Sequence, residues 1–220
     1  MSLFSLDEIA PIEDKIFLLK KNKWLNVDKR MAQSAKKNLF IKPANANEVL
    51  DHLPSKGNIV HGMLRGNFVL GEMLIALSEA HHVKKMVIST LSMNVDNAQK
   101  LAEQVKRGNI DKLDMFISQY FAHIEKIYPR CYKHLKDAGA SITIGKLHTK
   151  VFLVHTEDNY YVFTGSGNLR SSDSVEALAI FNDKVAFDFY EECFNELNEN
   201  LKKDGRKTYS ADPDYKKQIM

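Results

Sequence analysis

His148-Thr149-Lys150-Val151-Phe152-Leu153-Val154, then Tyr160-Tyr161-Val162-Phe163-Thr164-Gly165-Ser166-Gly167-Asn168, then Glu176-Ala177-Leu178-Ala179-Ile180-Phe181 form three apolar runs with polar groups at their ends. Residues two apart on a strand point to the same face, so a strand over 149–154 presents His148 and Lys150 together. The Gly-Ser-Gly-Asn turn past the next strand can bring small hydrogen-bond donors to that face. A nucleophile or proton carrier, a fixed cation and several donors suit the holding and attack of a phosphodiester. Each piece also has a plain reading. His148 and Lys150 can be the exposed start of a strand, and Gly, Ser and Asn dominate ordinary turns. Glu176 can be a rim residue salt-bridged to a neighbouring Arg or Lys. Co-occurrence about a hairpin apart favours the chemical reading, because a lysine aimed into a nearly all-apolar strand is costly unless paired.

Outward from this stretch, strands and helices alternate. Ile59 to Met63 reads as a buried strand, Phe68 to Ala80 as a helix and Met86 to Leu91 as a second strand, β-branched in its middle. Asn94 to Arg107 reads as a helix with Asn94 or Asp96 as cap, and Leu113 to Ser118 as a third strand. Phe121 to Ala138 reads as one helix, kinked or broken at Pro129 and closed by Gly139. Strands over Ser141 to Ile144, Thr149 to Val154, Tyr160 to Thr164 and Ala177 to Phe181 follow in quick succession, then an amphipathic helix from Val185 to Lys203. The pattern predicts an α/β architecture with a mixed sheet flanked by helices on both faces. It divides the chain into a basic N-terminal extension over 1–57, a body over 58–204 and a polar tail over 205–220.

The bulk properties narrow the class without choosing within it. A chain of 220 residues, 44% hydrophobic and 27% charged, can bury one sizeable core. A formal net charge of +3 neither requires nor discourages a polyanionic partner. Cys131 and Cys193 lie far apart, which argues against a zinc module or a disulfide framework and for a reducing compartment. The remaining histidines, including His81, His82 and His123, lack Asp, Glu or Cys at metal-ligand spacing, so no metal is expected. No basic leader precedes an apolar core and no apolar run approaches a membrane span, so a cytoplasmic protein without a membrane partner is expected. From Lys15 to Lys42, Lys20, Lys21, Lys23, Lys29, Arg30, Lys36 and Lys37 crowd together with Asp28 as the one internal acid. Such a run serves either as an arm that gains affinity by releasing counterions from nucleic acid, or as a solvated face packed on the body.

The HxK and GSxN spacing resembles the signature of the phospholipase D superfamily, over roughly Asn58 to Lys203. That resemblance implies a phospholipase D-like mixed sheet and phosphodiester cleavage without metal or cofactor. It implies that His148 attacks phosphorus to form a phosphohistidine, while a second histidine protonates the leaving oxygen. Lys150, Ser166 and Asn168 would bind phosphate oxygens, and Glu176 would hydrogen-bond the catalytic histidine and hold its tautomer. Arg65 and Arg170, with Lys84 and Lys85, would add phosphate contacts around a groove. The chain has one such motif where the chemistry needs two, which implies a homodimer with the site at its two-fold axis. His134-Leu135-Lys136 lies inside a helical pattern with no Gly-Ser turn after it. Small single-motif members are typically dimeric nucleases, so a homodimeric endonuclease acting on DNA, or less favourably RNA, is the expected function.

The pattern departs from the family at one place. Five residues after the motif lysine the family has an Asp, and this chain has His155. The departure favours a competing class, a catalytically degenerate module that binds nucleic acid or helps assembly. A third class, a phospholipase or phosphatidyl transferase, would predict an apolar rim or insertion helix. The loops around Asn94 and Arg170 are too polar to suggest one.

Overall fold

A computed structural model describes residues 40–41, 46–64, 70–124, 126–170 and 175–203. The basic run over 15–39, Arg65 and the tail over 205–220 lie outside the described residues. The strands are β1 (Phe40–Ile41), β2 (Ile59–Leu64), β3 (Val83–Thr90), β4 (Leu113–Ser118), β5 (Ser141–Gly145), β6 (Val151–Thr156), β7 (Tyr160–Gly165) and β8 (Glu176–Asn182). The helices are α1 (Ala46–Leu50), α2 (Leu70–Ala80), α3 (Val95–Lys106), α4 (Gln119–Ala122), α5 (Tyr128–Asp137) and α6 (Lys184–Lys203). One sheet takes the strands in the order β1-β2-β8-β7-β6-β3-β4-β5. β3, β4 and β5 run parallel, whereas β6 pairs antiparallel with both β3 and β7, and β8 antiparallel with β7 and β2. The sheet is therefore mixed, with helices on both faces.

Period-two alternation explains why the central strands are apolar throughout. Met86, Ile88, Met115, Ile117, Phe152 and Phe163 face the layer that includes α2, α3 and α5, where they meet Met73, Leu74, Leu101 and Leu135. Their neighbours Val87, Phe116, Leu153 and Val162 face α6 and meet Phe187, Phe194 and Leu197. Both faces are covered, so neither parity can be polar.

The sequence reading holds for most elements and differs in three places. The expected helix over 121–138 is two helices, α4 and α5. Pro129 sits in the first turn of α5, where its missing N–H leaves no hydrogen bond unmade, so it starts a helix instead of kinking one. At the other end Gly139, at φ +87°, donates to the Lys136 carbonyl (2.9 Å), and Ala140 N donates to the Leu135 carbonyl (3.0 Å), a Schellman closure. β3 begins earlier than expected, at Val83, because Lys85 pairs with β6 while its ammonium reaches Glu191 on α6 (2.6 Å). β6 starts at Val151, so His148-Thr149-Lys150 precedes the ladder instead of lying within it.

The end of the sheet where β2, β7 and α1 meet is tied through Asn182, which is buried. Its Nδ2 donates to the Pro54 carbonyl (2.9 Å) and Asn159 Oδ1 (2.8 Å), and its Oδ1 accepts from Tyr160 N (3.2 Å). Its backbone exchanges hydrogen bonds with Gly57 and Asn58.

His155 lies near this end of β6, with its ring stacked on Tyr160 (centroids 4.3 Å apart) and edge-on to Phe187 of α6. Burial lowers its pKa below the usual 6.5; Lys84 and Lys184 add to the lowering, and Glu191 and Glu157 oppose it. A histidine with a lowered folded pKa favours the neutral ring in the folded state. Its contribution is intact above the unfolded value and is lost as pH falls through the folded one. Urea unfolding midpoints are expected to fall between about pH 7 and pH 5. In His155→Phe, which keeps a ring and removes the proton, that slope should flatten. Equal slopes in the two proteins would remove His155 from this role.

Candidate active site

His148, Lys150, Gly165 to Asn168 and Glu176 meet at the other end of the sheet, off the carboxyl ends of β3, β4, β5 and β7 and the amino ends of β6 and β8. Ligands of open α/β sheets bind off carboxyl ends of this kind. After β5 the chain turns back through a Leu147 N to Gly145 carbonyl hydrogen bond (2.9 Å) and exposes His148. The motif's middle residue is pinned from below. Ser89 of β3, fully buried, shares a short hydrogen bond with the Thr149 hydroxyl. The Lys150 carbonyl accepts from Gly165 N (3.4 Å), which ties the motif to β7.

Lys150 folds back onto His148. Its Nζ lies 3.2 Å from Nδ1, 3.5 Å from Nε2 and 3.1 Å from the His148 carbonyl. Burial lowers the Lys150 pKa, while the charge of Glu176 opposes the shift.

The Gly-Ser-Gly-Asn segment is shaped by space, since neither of its glycines has a positive φ. A Cβ on Gly165 would overlap the carbonyl oxygen of Ala177, and one on Gly167 would come within 2.7 Å of Leu70 Cδ1. Ser166 Oγ donates a short hydrogen bond to Glu176 Oε2 and accepts from Ala177 N (3.0 Å). Its hydroxyl proton is therefore engaged by the carboxylate. Glu176 holds Ser166 and approaches Lys150 electrostatically, and among the described residues it makes no hydrogen bond to His148.

Asn168 accepts from Leu91 N through Oδ1 (3.2 Å), which leaves its Nδ2 hydrogens without a partner among the described residues. Leu169 N donates to the Ser92 carbonyl (3.2 Å), and the Leu169 carbonyl accepts from Asn94 N and from Asn97 Nδ2 (both 3.1 Å). Asn97 is almost completely buried against Gly71, where a Cβ would come within 2.6 Å of its amide. The same stretch opens α3, because Asn94 Oδ1 accepts from Asn97 N (2.7 Å) and caps the helix. The backbone N–H groups of Gly167 and Asn168 also lack partners among the described residues and add to the donors at this end.

Five sequence candidates, His148, Lys150, Ser166, Asn168 and Glu176, thus come together, with exposed Arg170 immediately beyond. Lys84 and Lys85 do not join them. They pair with Glu157 (3.1 Å) and Glu191 (2.6 Å) toward the opposite end. His155 lies five residues from Lys150, about 16 Å along the strand and on the other face, so it does not take the place of a site acid. His82 has a spatial partner that spacing could not reveal, Asp111 at 3.0 Å. No group of three or more His, Cys, Asp or Glu among the described residues could hold a metal ion. Sequence reading missed Ser89, Leu91 and Asn97. The one local signal was the switch from Val87-Ile88 to Ser89-Thr90 at the end of an apolar strand.

No family model matches the sequence, and no curated protein matches it. Among solved structures, polyphosphate kinase from Porphyromonas gingivalis superposes with a TM-score of 0.51 at 11% identity, over 64% of this chain and 26% of the kinase. The match thus spans about a quarter of that enzyme's length. TrmBL2, an archaeal chromatin protein, aligns over 64% of this chain and 52% of its own at 13% identity, with a TM-score of 0.45. Phosphatidylserine synthase from Haemophilus influenzae Rd KW20 aligns over 64% and 38% at 13% identity, with a TM-score of 0.42. At such identities the likeness speaks for the fold alone, and the kinase superposition carries it. The chain has a phospholipase D-like fold.

The two glycines are expected to differ in tolerance. Gly165→Ala must move backbone and should cost about 1–3 kcal/mol in urea unfolding, the usual range for overpacking. Gly167→Ala displaces only the end of a leucine side chain and should cost less. The reverse order would show that close approach is not what selects these glycines.

Proposed function

We propose that the chain is a phosphodiesterase that cleaves nucleic acid, DNA in preference to RNA, as a homodimer and through a phosphohistidine on His148. The observation that carries this reading is the His148–Lys150 pair, 3.2 Å apart, at the sheet end where the amide of Asn168 also lies, with two backbone N–H groups that have no partner among the described residues. A phosphate arriving at this end competes for the Lys150 ammonium with two formal acceptors where the ring offers one. It draws Nζ away and frees a ring nitrogen. That lone pair attacks phosphorus, the bond to the leaving oxygen breaks, and His148 of the second copy gives that oxygen its proton. Water then attacks the phosphorus and loses its proton to the second histidine. The P–N bond breaks and both rings return to their starting states.

Lys150, Asn168 Nδ2 and the Gly167 and Asn168 N–H groups offset the charge that develops on the equatorial oxygens. Glu176 keeps Ser166 and the β7–β8 connection in place and tempers the Lys150 shift. Arg170, exposed beside the segment, and Arg65 are assigned to substrate phosphates further along. The polyphosphate kinase that shares the fold is, by its name, an enzyme of a phosphate polymer, which supports phosphoryl chemistry as a class and nothing finer.

A second reading, a module that binds nucleic acid without cutting it, is favoured by one observation. The carboxylate expected on His148 is engaged by Ser166 instead.

Cleavage of plasmid and single-stranded DNA in EDTA separates the two. Wild type is expected to cut, and His148→Ala to lose on the order of 10³-fold or more of that rate. Cutting by His148→Ala at the wild-type rate would end the mechanism. Binding by both proteins with no cutting by either would establish the second reading.

A further inference from the structure

Most basic side chains on the described surface away from the site have an acidic partner, as in Lys84–Glu157 (3.1 Å), Lys100–Asp96 (2.8 Å), Lys112–Asp114 (3.3 Å) and Lys184–Asp188 (2.6 Å). Lys126, Arg130 and Lys146 are exposed and have no ion pair among the described residues. The topology puts all three at the site end. β4 and β5 run parallel with Ser118 opposite Gly145, so the chain leaves both strands at the same end. From β4 it passes through α4 to Lys126 and into the first turn of α5, which holds Arg130. From β5 it passes through Lys146 to His148. Tyr120 leaves β4 at this same end, two residues beyond Ser118 with its N–H on the Ser118 hydroxyl (3.2 Å), and it is 58% exposed. Even with both connections fully extended, Tyr120 lies within about 23 Å of His148, a span of a few nucleotides.

An aromatic ring left in water among unpaired cations is the pattern of a single-strand platform. Cations track the phosphates, and the ring stacks on a base that has no stacking partner of its own. A duplex offers such a ring nothing, because its bases already stack on each other. We propose that Tyr120, Lys126, Arg130 and Lys146 form a ledge that binds single-stranded DNA beside His148, with Tyr120 stacked on a base. The inference deepens the nucleic-acid reading of the site and rests on it.

The test measures binding of a labelled oligothymidylate by fluorescence polarisation. It uses the full-length chain in a His148→Ala background, so that cutting cannot consume the probe. Tyr120→Ala should weaken binding roughly 5- to 100-fold, and Tyr120→Trp should restore it. Lys126→Ala, Arg130→Ala and Lys146→Ala should each reduce the slope of log affinity against log salt by about 0.7. Inorganic polyphosphate, which has charge and no bases, should respond to the cation variants and ignore Tyr120→Ala. Oligothymidylate binding that is absent, or indifferent to Tyr120→Ala, would overturn the ledge. So would Tyr120-dependent binding confined to phosphatidylglycerol vesicles. If Tyr120-dependent binding holds while wild type cuts nothing in EDTA, the ledge stands and the nuclease reading falls. If wild type cuts and binding ignores Tyr120, the reverse holds.

Discussion

Three consecutive residues at the end of β3 hold both halves of the site in one frame. Ser89 engages Thr149 between His148 and Lys150, Thr90 Oγ1 accepts from Leu169 N (3.4 Å), and Leu91 N donates to Asn168. β3 can do this because it sits next to β6 in the sheet and opens toward α3, whose cap Asn94 and first-turn Asn97 both donate to the Leu169 carbonyl. The histidine–lysine half comes in at the start of β6, and the Gly-Ser-Gly-Asn half leaves at the end of β7. The two halves are joined directly by the hydrogen bond from Gly165 N to the Lys150 carbonyl and by the β6–β7 pairing. β3 adds a second tie to each half from residues that carry no chemistry themselves.

The mixed topology makes that arrangement possible. If β6 ran parallel to β3, its first residues would lie at the opposite end of the sheet from the carboxyl ends of β3 and β4. Its reversal brings the start of one strand level with the ends of its neighbours, and β8 repeats the device to deliver Glu176. α6, tied to the sheet by Lys85–Glu191 and by Thr143 on Asn198 (3.1 Å), covers the face that the motif lysine does not use.

Much of this was legible in the sequence. The apolar runs locate the strands closely, because strands buried on both faces admit few polar residues, and Gly139 ends its helix as its neighbours suggest. The parity of the departure from the family pattern was legible too. Lys150 and His155 are an odd number apart, so on one strand they face opposite ways, and His155 belongs to the aromatic contact with Tyr160 and Phe187. What could not be read was non-local. That Pro129 begins a helix depends on where the chain turns after Phe121. That Ser166 answers to Glu176, and Asn97 to Leu169, depends on strand order, which no local periodicity encodes. The glycines at 165 and 167 look like turn residues by type, yet the reason for them is a neighbouring carbonyl and a leucine brought close only by the fold.

Asn182 fastens the end of the sheet remote from the site, joining the entry to β2, the start of β7 and the exit of β8 through one buried amide. Strand registration is thereby secured at one pole, while the connections bearing Tyr120, Lys146 and Arg170 occupy the other. Sequence drift can act on the two poles separately. Substitutions in the connections can redirect what the molecule grips without unsettling how its strands find one another, so the architecture allows new ligand ranges to arise on an unchanged scaffold.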